Sequence, residues 1–160
     1  MDEFKQDAPD VRIFEAGLSD AVTGTLIEMS ADWEAENSCH GYRKNTEEDI
    51  AGNRVFLAFS EGKTVGYVFG HHEKTDRATS VIPEGAAVFE VEEIYVRPEY
   101  RNAGIGRKLF TFAENAVRGE ADYITLSTAT KNWRAILRFY IDELGMDFWS
   151  ARLFKKTGGK

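Results

Sequence analysis

Two groups of residues in this chain have the types and spacing for chemistry: the hexapeptide Arg101-Asn102-Ala103-Gly104-Ile105-Gly106 and the adjacent carboxylates Glu92 and Glu93 just before it. The hexapeptide lies between a strand-like run, Val88 to Val96, and an amphipathic helical run from Ile105 to about Val117. The first N–H groups of a helix have no intrahelical partner and carry the positive end of its dipole. A glycine-punctuated entry therefore lets a phosphate approach bare backbone. Arg97, Arg101, Arg107 and Lys108 bring positive charge to the same place. The loop reads as a pyrophosphate cradle.

What the loop lacks narrows its ligand. A Walker A loop ends in Gly-Lys-Ser/Thr, whereas Gly106 is followed by Arg107-Lys108-Leu109, which disfavours nucleotide hydrolysis. A dinucleotide fingerprint needs three glycines and an acidic residue about 20 positions on; only Gly104 and Gly106 are present.

What remains is Arg-x-x-Gly-x-Gly after Val91-Glu92-Glu93-Ile94-Tyr95-Val96-Arg97-Pro98-Glu99-Tyr100. Further on, Asn132-Trp133-Arg134-Ala135 runs into Arg138-Phe139-Tyr140 and Leu144-Gly145-Met146. The first block resembles the coenzyme A signature of the GNAT superfamily of N-acetyltransferases, Gln/Arg-x-x-Gly-x-Gly/Ala between the fourth strand and the third helix. The second is similar to that family's Asn-x-x-Ala, Phe-Tyr and Leu-Gly-Phe segment. The resemblance covers Val55 to Phe154; before that only the element order matches. It implies an α/β (α+β) GNAT fold: a mixed, mostly antiparallel sheet of six to seven strands flanked by about four helices, in the order β-α-α-β-β-β-α-β-α-β. It also implies an acetyl-CoA-dependent N-acetyltransferase, with the amine attacking the thioester directly in a ternary complex. A non-catalytic acyl-CoA-binding or regulatory module stays open as the alternative. Nothing resembles the nucleophile elbow of a thioesterase.

Acetyl transfer to an amine needs a group that takes the ammonium proton, a donor to the oxyanion, and a proton donor to the leaving thiolate. In the resemblance Glu92 matches the acidic position that contacts the amine or relays its proton, and Tyr140 matches the general acid at the cofactor sulfur. Main-chain groups of Ile94, Tyr95 and Val96 would hold the thioester and pantetheine, with Arg101, Asn102, Ala103, Gly104, Ile105, Gly106 and Arg107 at the pyrophosphate. Asn132 would contact the pantetheine arm or cap the fourth helix. Strict alternation along the strand places Glu90 and Glu92 on one face with Ile94 and Val96, and Val91, Glu93 and Tyr95 on the other. The loop between the first two helices commonly walls the acceptor in this family, which makes Trp33, Glu34, Glu36 and Tyr42 candidate substrate contacts; aromatic rings with carboxylates suit a cation. Glu93 is a further candidate substrate contact and the alternative to Glu92 as base or ammonium anchor.

Other residues invite chemistry less. His71 and His72 are adjacent on a strand and face opposite sides, so no metal site is expected. Cys39-His40 has the makings of a thiol nucleophile, but direct transfer needs no acyl-enzyme.

These residues must be positioned by alternating elements. Val11 to Phe14 reads as a first strand, and Ser19 or Asp20 caps a helix to about Trp33. Thr46 caps a short second helix to Gly52, with Asp49 at its third position. Arg54 to Ser60 and Lys63 to Gly70 flank Glu61-Gly62 as a hairpin. Tyr123 to Ser127 is strand-like, Asn132 opens the fourth helix, and Phe148 to Phe154 is a last strand. Only 14 residues follow Met146. Either a single last strand closes the sheet, or another subunit completes it as a homodimer.

Bulk properties fit one domain, 1–160, large enough for a core without staples. The single cysteine forms no internal disulfide, and no apolar run approaches the roughly 18 residues of a membrane helix. Met1 to Lys5 lacks a signal-peptide core, so a cytoplasmic protein without membrane contact is expected. A net charge of −7 argues against nucleic acid and tolerates a cationic acceptor, a small-molecule amine or a protein amino group.

Overall fold

The computed structural model describes residues 10–158. Met1 to Lys5 and the outermost ends of the 1–160 domain lie outside the described residues. Strands β1 (Arg12–Ala16), β2 (Arg54–Ser60), β3 (Lys63–Lys74), β4 (Ala87–Val96) and β5 (Tyr123–Leu126) form one sheet in sequential order. All neighbours are antiparallel except β4 and β5, which are parallel. The helices are α1 (Asp20–Glu36), α2 (Glu47–Ile50), α3 (Ile105–Val117) and α4 (Trp133–Arg138), and α4 continues as a π-helical turn at Phe139–Glu143. No described helix is long and apolar enough to cross a membrane.

Local signals place most of these boundaries. Ser19 Oγ accepts the Val22 N–H at the start of α1, and Thr46 and Asp49 close a reciprocal capping box at α2. Glu61 and Gly62 both take positive φ, which sends β2 back into β3 as a tight turn. Helix α1 runs past Trp33 to Glu36, where Asn37 stops it in the left-handed conformation at φ 51°. Trp33 and Glu34 are therefore helical residues, not loop residues.

Alternation along β2, and along β3 beyond an extra residue at Val65, divides the interior into two layers. Phe56, Ala58, Val65 and Val68 pack under Leu109, Phe110 and Ala113 of α3, while Val55, Leu57, Tyr67 and Phe69 pack under Leu26 and Met29 of α1. Strand β4 breaks that alternation. Phe69 pairs with Glu93 and Gly70 with Val91, so Glu92 is an extra residue, a β-bulge. Beyond it the faces exchange: Val91 packs on the α3 side with Ile94 and Val96, and Glu93 shares the α1 side with Tyr95. The strict-alternation reading, which put Val91 with Glu93 and Tyr95, fails at this one residue.

The bulge needs a glycine opposite it. A Cβ on Gly70 would sit 2.2 Å from the Glu90 carbonyl oxygen and 3.0 Å from the Phe89 ring. Gly70→Ala is expected to cost roughly 3 kcal/mol by overpacking, read as a lower urea midpoint at unchanged slope. An unchanged midpoint would show that the strands relax freely there.

The expected last strand is absent. Phe148 to Phe154 has no ladder beside it, and β5 pairs only with β4, so the described sheet has five strands rather than six or seven. Trp149 Nε1 donates to Ser80 Oγ at 3.2 Å and Phe154 meets His40 edge-on, while Leu153 and Phe154 remain 92% and 81% exposed. The segment is held by side chains at its two ends, and among the described residues no backbone hydrogen bond joins it to a neighbour.

Candidate active site

The glycine-led helix start expected at α3 is formed. Asn102 and Gly104 take φ 61° and 80°, and Gly104 caps the helix without any side-chain hydrogen bond, leaving first-turn N–H groups uncommitted. Nothing lies within 4 Å of the position a Gly104 Cβ would take. Arg107 and Lys108 line an open groove that begins at Gly104. A Cβ on Gly106 would stand 3.3 Å from the Phe139 ring, so this glycine lets the π-helical turn lie close to α3.

Arg101 is already engaged. Its Nε donates to the Val96 carbonyl at 2.8 Å, and its Nη2 donates to both Glu36 carboxylate oxygens at 2.9 Å. Arg97 is held by the Thr64 carbonyl at 2.9 Å and by Asp32 at 3.3 Å. Asp32 and Glu36 stand one turn apart on α1, so one helix face ties down both arginines. Glu36, expected as part of the acceptor wall, holds Arg101, and Asp32 went unrecognised in the sequence; the matching four-residue spacings, Asp32/Glu36 and Arg97/Arg101, were the available signal.

Strand β4 offers free main-chain groups beside the cradle. Pairing with β5 stops at Val91↔Leu126, one residue before the bulge. The Arg97 N–H donates to Val65 of β3, so by alternation those of Tyr95 and Glu93 point the same way, and those of Ile94 and Val96 point into the gap left by β5. Of the three main-chain candidates, Ile94 and Val96 face the gap and Tyr95 does not.

The two carboxylates have separate surroundings. Glu92 is 46% exposed and its Oε1 lies 3.2 Å from His71 Nδ1. Glu93 is half-buried on the α1 side. Its carboxylate accepts from the Tyr67 hydroxyl at 2.7 Å, from Asn45 Nδ2 at 3.0 Å, and from the Tyr42 hydroxyl at 3.1 and 3.2 Å. Ser30 Oγ accepts the Asn45 N–H at 2.9 Å and so sets that amide in place. Among the described residues no cationic side chain pairs with Glu93. Burial pushes its carboxyl above the ordinary range, even against three donors that lower it. Burial and the neighbouring Glu93 charge push the Tyr67 and Tyr42 phenols up, so both stay protonated as donors. Tyr67 and Asn45 went unrecognised in the sequence because they read as ordinary strand and loop residues.

Trp33 stacks between Tyr42 and Tyr95, at centroid distances of 4.2 and 5.3 Å, and the Arg101 guanidinium sits 5.3 Å over Tyr95. The Tyr95 hydroxyl donates to Glu36 at 2.7 Å. Trp33 Nε1 donates to Ser38 Oγ at 3.2 Å. Glu34, expected among the substrate contacts, is exposed and accepts the Lys44 backbone N–H at 2.7 Å.

Residues Ser38 to His40 lie against the segment after β5: His40 N–H donates to Ala129 at 2.9 Å and Lys131 N–H to Ser38 at 2.8 Å. This brings Cys39 beside Tyr140. Burial, then Cys39, pushes the Tyr140 phenol up to about 12. Asn132 does not cap α4: its side chain makes no cap bond, and the Thr130 hydroxyl accepts its N–H instead. His71 reaches Glu73 and Glu92, whereas His72 reaches Arg54 and Glu120.

A parallel β4/β5 pair that parts beside a glycine-led helix start defines a class, and the comparison with known families agrees. The chain belongs to the acetyltransferase (GNAT) family, whose family model matches residues 24–146. An acetyltransferase from Trypanosoma brucei is 18% identical at a TM-score of 0.63, the match covering 92% of this chain and 100% of that one. An aminoglycoside acetyltransferase from an uncultured soil metagenomic sample is 14% identical at 0.67, with 93% and 99% covered. A transcriptional regulator from Bacillus halodurans is 20% identical at 0.66, with 92% and 100% covered. No curated protein matches the sequence. At such identities the likeness is one of fold.

Proposed function

We propose that this protein is an acetyl-CoA-dependent N-acetyltransferase acting on a primary amine by direct attack in a ternary complex. The observation that carries the reading is the position of Glu93, a half-buried carboxylate without a cation, two residues past the point where β4 and β5 part. The uncommitted N–H groups after Gly104 and the charges of Arg107 and Lys108 suit a pyrophosphate, and the main chain of Ile94 and Val96 suits a pantetheine arm. When bound there, acetyl-CoA supplies an activated acetyl thioester.

The chain's residues divide the remaining work. Glu93 holds the ammonium and takes its proton, and burial raises its affinity for that proton above that of an ordinary carboxylate. This assigns to Glu93 the role that the family pattern gives to Glu92, which is solvated beside His71. The Ile94 N–H points into the gap and is placed to donate to the thioester oxygen. Tyr140, with a phenol near 12, stays protonated throughout the working range and donates a hydrogen bond to the departing sulfur.

The test is amine-dependent release of CoA thiol from acetyl-CoA. Tyr140→Phe is expected to lower kcat about 10- to 100-fold with little change in acetyl-CoA binding. An unchanged kcat would return Tyr140 to a packing role. Tight acetyl-CoA binding without turnover of any amine would favour the non-catalytic acyl-CoA-binding module instead.

A further inference from the structure

No described residue after Val117 is buried, although that stretch contains β5, α4, the π-helical turn and two of the three tryptophans. The exposure peaks in residues 148–154, where Phe148, Trp149, Leu153 and Phe154 are 57, 46, 92 and 81% exposed. Apolar side chains of this size gain by leaving water, and a patch of them marks an interaction surface. We infer that residues 148–154 are exchanged between two copies of this chain, each segment adding as a strand to the open β5 edge of the other copy. The inference does not depend on the acetyltransferase reading.

The first argument is that the two unmet needs match. Strand β5 is hydrogen-bonded to β4 on one side and to no strand on the other. Residues 148–154 read as a strand and have no ladder, and no backbone hydrogen bond joins them to β5 of their own copy. What holds them there is one hydrogen bond, from Trp149 to Ser80, and one ring edge, between Phe154 and His40. An edge without a strand and a strand without an edge on the same chain satisfy each other twice over about a two-fold axis, the usual symmetry of a homodimer.

The second argument is area. An aromatic side chain buries about 150–250 Å² when wholly covered, so covering the exposed parts of these four side chains removes roughly 500 Å² of apolar surface per copy. Two reciprocal contacts, each with a covering surface of like size, come to roughly 2,000 Å², above the roughly 1,200 Å² at which stable interfaces begin.

The third argument is charge. Residues 148–156 carry Arg152, Lys155 and Lys156 and no acid, in a chain of net charge −7. Glu84 and Asp122 stand with Tyr123 around an open cavity of about 560 Å³ at the start of β5. Among the described residues none of these five charged groups makes an ion pair. A segment laid antiparallel to β5 brings its Lys155 and Lys156 to Glu84 and Asp122 of the other copy, which selects that direction.

The experiment is sedimentation of the full-length protein between about 1 and 100 µM, with hydrogen exchange read over residues 148–154. The expected mass is twice the 18.0 kDa of one chain, with slow exchange in the segment. Leu153→Asp combined with Phe154→Asp should give the mass of one chain and fast exchange there. Both side chains stand in solvent within a single copy, so the urea transition of that monomer should persist. Lys155→Glu combined with Lys156→Glu, a change confined to the exposed surface, should weaken the dimer by about tenfold, and adding Glu84→Lys should restore it. A dimer indifferent to both sets of substitutions overturns the inference. So does a single-chain mass at every concentration, with slow exchange assigning the segment to its own β5 and fast exchange assigning it to a different protein.

Discussion

Glu93→Gln is expected to lower kcat/KM for amine acetylation by about 10²- to 10⁴-fold, the usual worth of a positioned base, whereas Glu92→Gln is expected to change it by less than about threefold, as for a solvated surface group. The contrast follows from the bulge. Glu92 is the extra residue and stands in solvent beside His71, while Glu93 is turned under α1 among Tyr42, Asn45 and Tyr67. A base must be ionised to accept a proton, so the rate should fall as pH drops through the Glu93 value. Burial raises that value, with a small addition from the Asp49 charge, so the acid limb should lie above the ordinary carboxylate range. A profile whose acid limb is the same in Glu93→Gln as in the parent would remove Glu93 from proton transfer.

The same shift has a consequence for stability with the opposite sign. A carboxyl with a raised value in the folded state contributes stability while protonated, below its unfolded value, and loses that contribution as pH rises through the folded value. Ionised Glu93 therefore strains the fold near neutrality. Glu93→Gln should raise the melting temperature at pH 7 and do so less at pH 4, because the hydroxyls of Tyr42 and Tyr67 can still donate to the glutamine oxygen. Loss of activity with gain of stability distinguishes a functional carboxylate from a structural one.

The second large effect is expected at the donor cradle. Gly104→Asp should weaken acetyl-CoA binding by about 100-fold or more, roughly 3 kcal/mol, measured by calorimetry against the parent. The side chain would put a negative charge at the first-turn N–H groups of α3, where a phosphate is proposed to bind. It would not clash within the protein, because the space beside Gly104 is open. Gly104→Ala isolates the other component: at φ 80° an alanine pays about 1 kcal/mol of backbone strain without added charge. Binding should thus fall far less in the alanine variant than in the aspartate one. Equal losses in both would mean that loop conformation, and not charge, governs the site.

The glycine turn and the helix after it could be read from the chain because their causes are local. Turn glycines, a bare helix start and a 3.6-residue apolar period act over a few residues, and α3 spans Ile105–Val117 as its pattern indicates. The same holds for the capping box at Thr46 and the Glu61-Gly62 turn. The last strand was legible only as a pattern: a strand also needs a partner backbone, and Phe148 to Phe154 has none.

The acceptor side depended on contacts that no local pattern carries. Which of two adjacent glutamates turns inward was decided by one bulge, and that bulge depends on a missing Cβ at Gly70 on the neighbouring strand. Glu93 gained its environment from Tyr67 and Asn45, 26 and 48 positions away, and Arg101 found Glu36 65 positions away. From residue types and spacing alone came the donor loop, the family resemblance and the need for an acid, a base and a backbone donor. Folding selected which carboxylate is buried, which main-chain groups stay free and which acids are already spent, because cross-strand register and desolvation are properties of packed elements and not of neighbours along the chain.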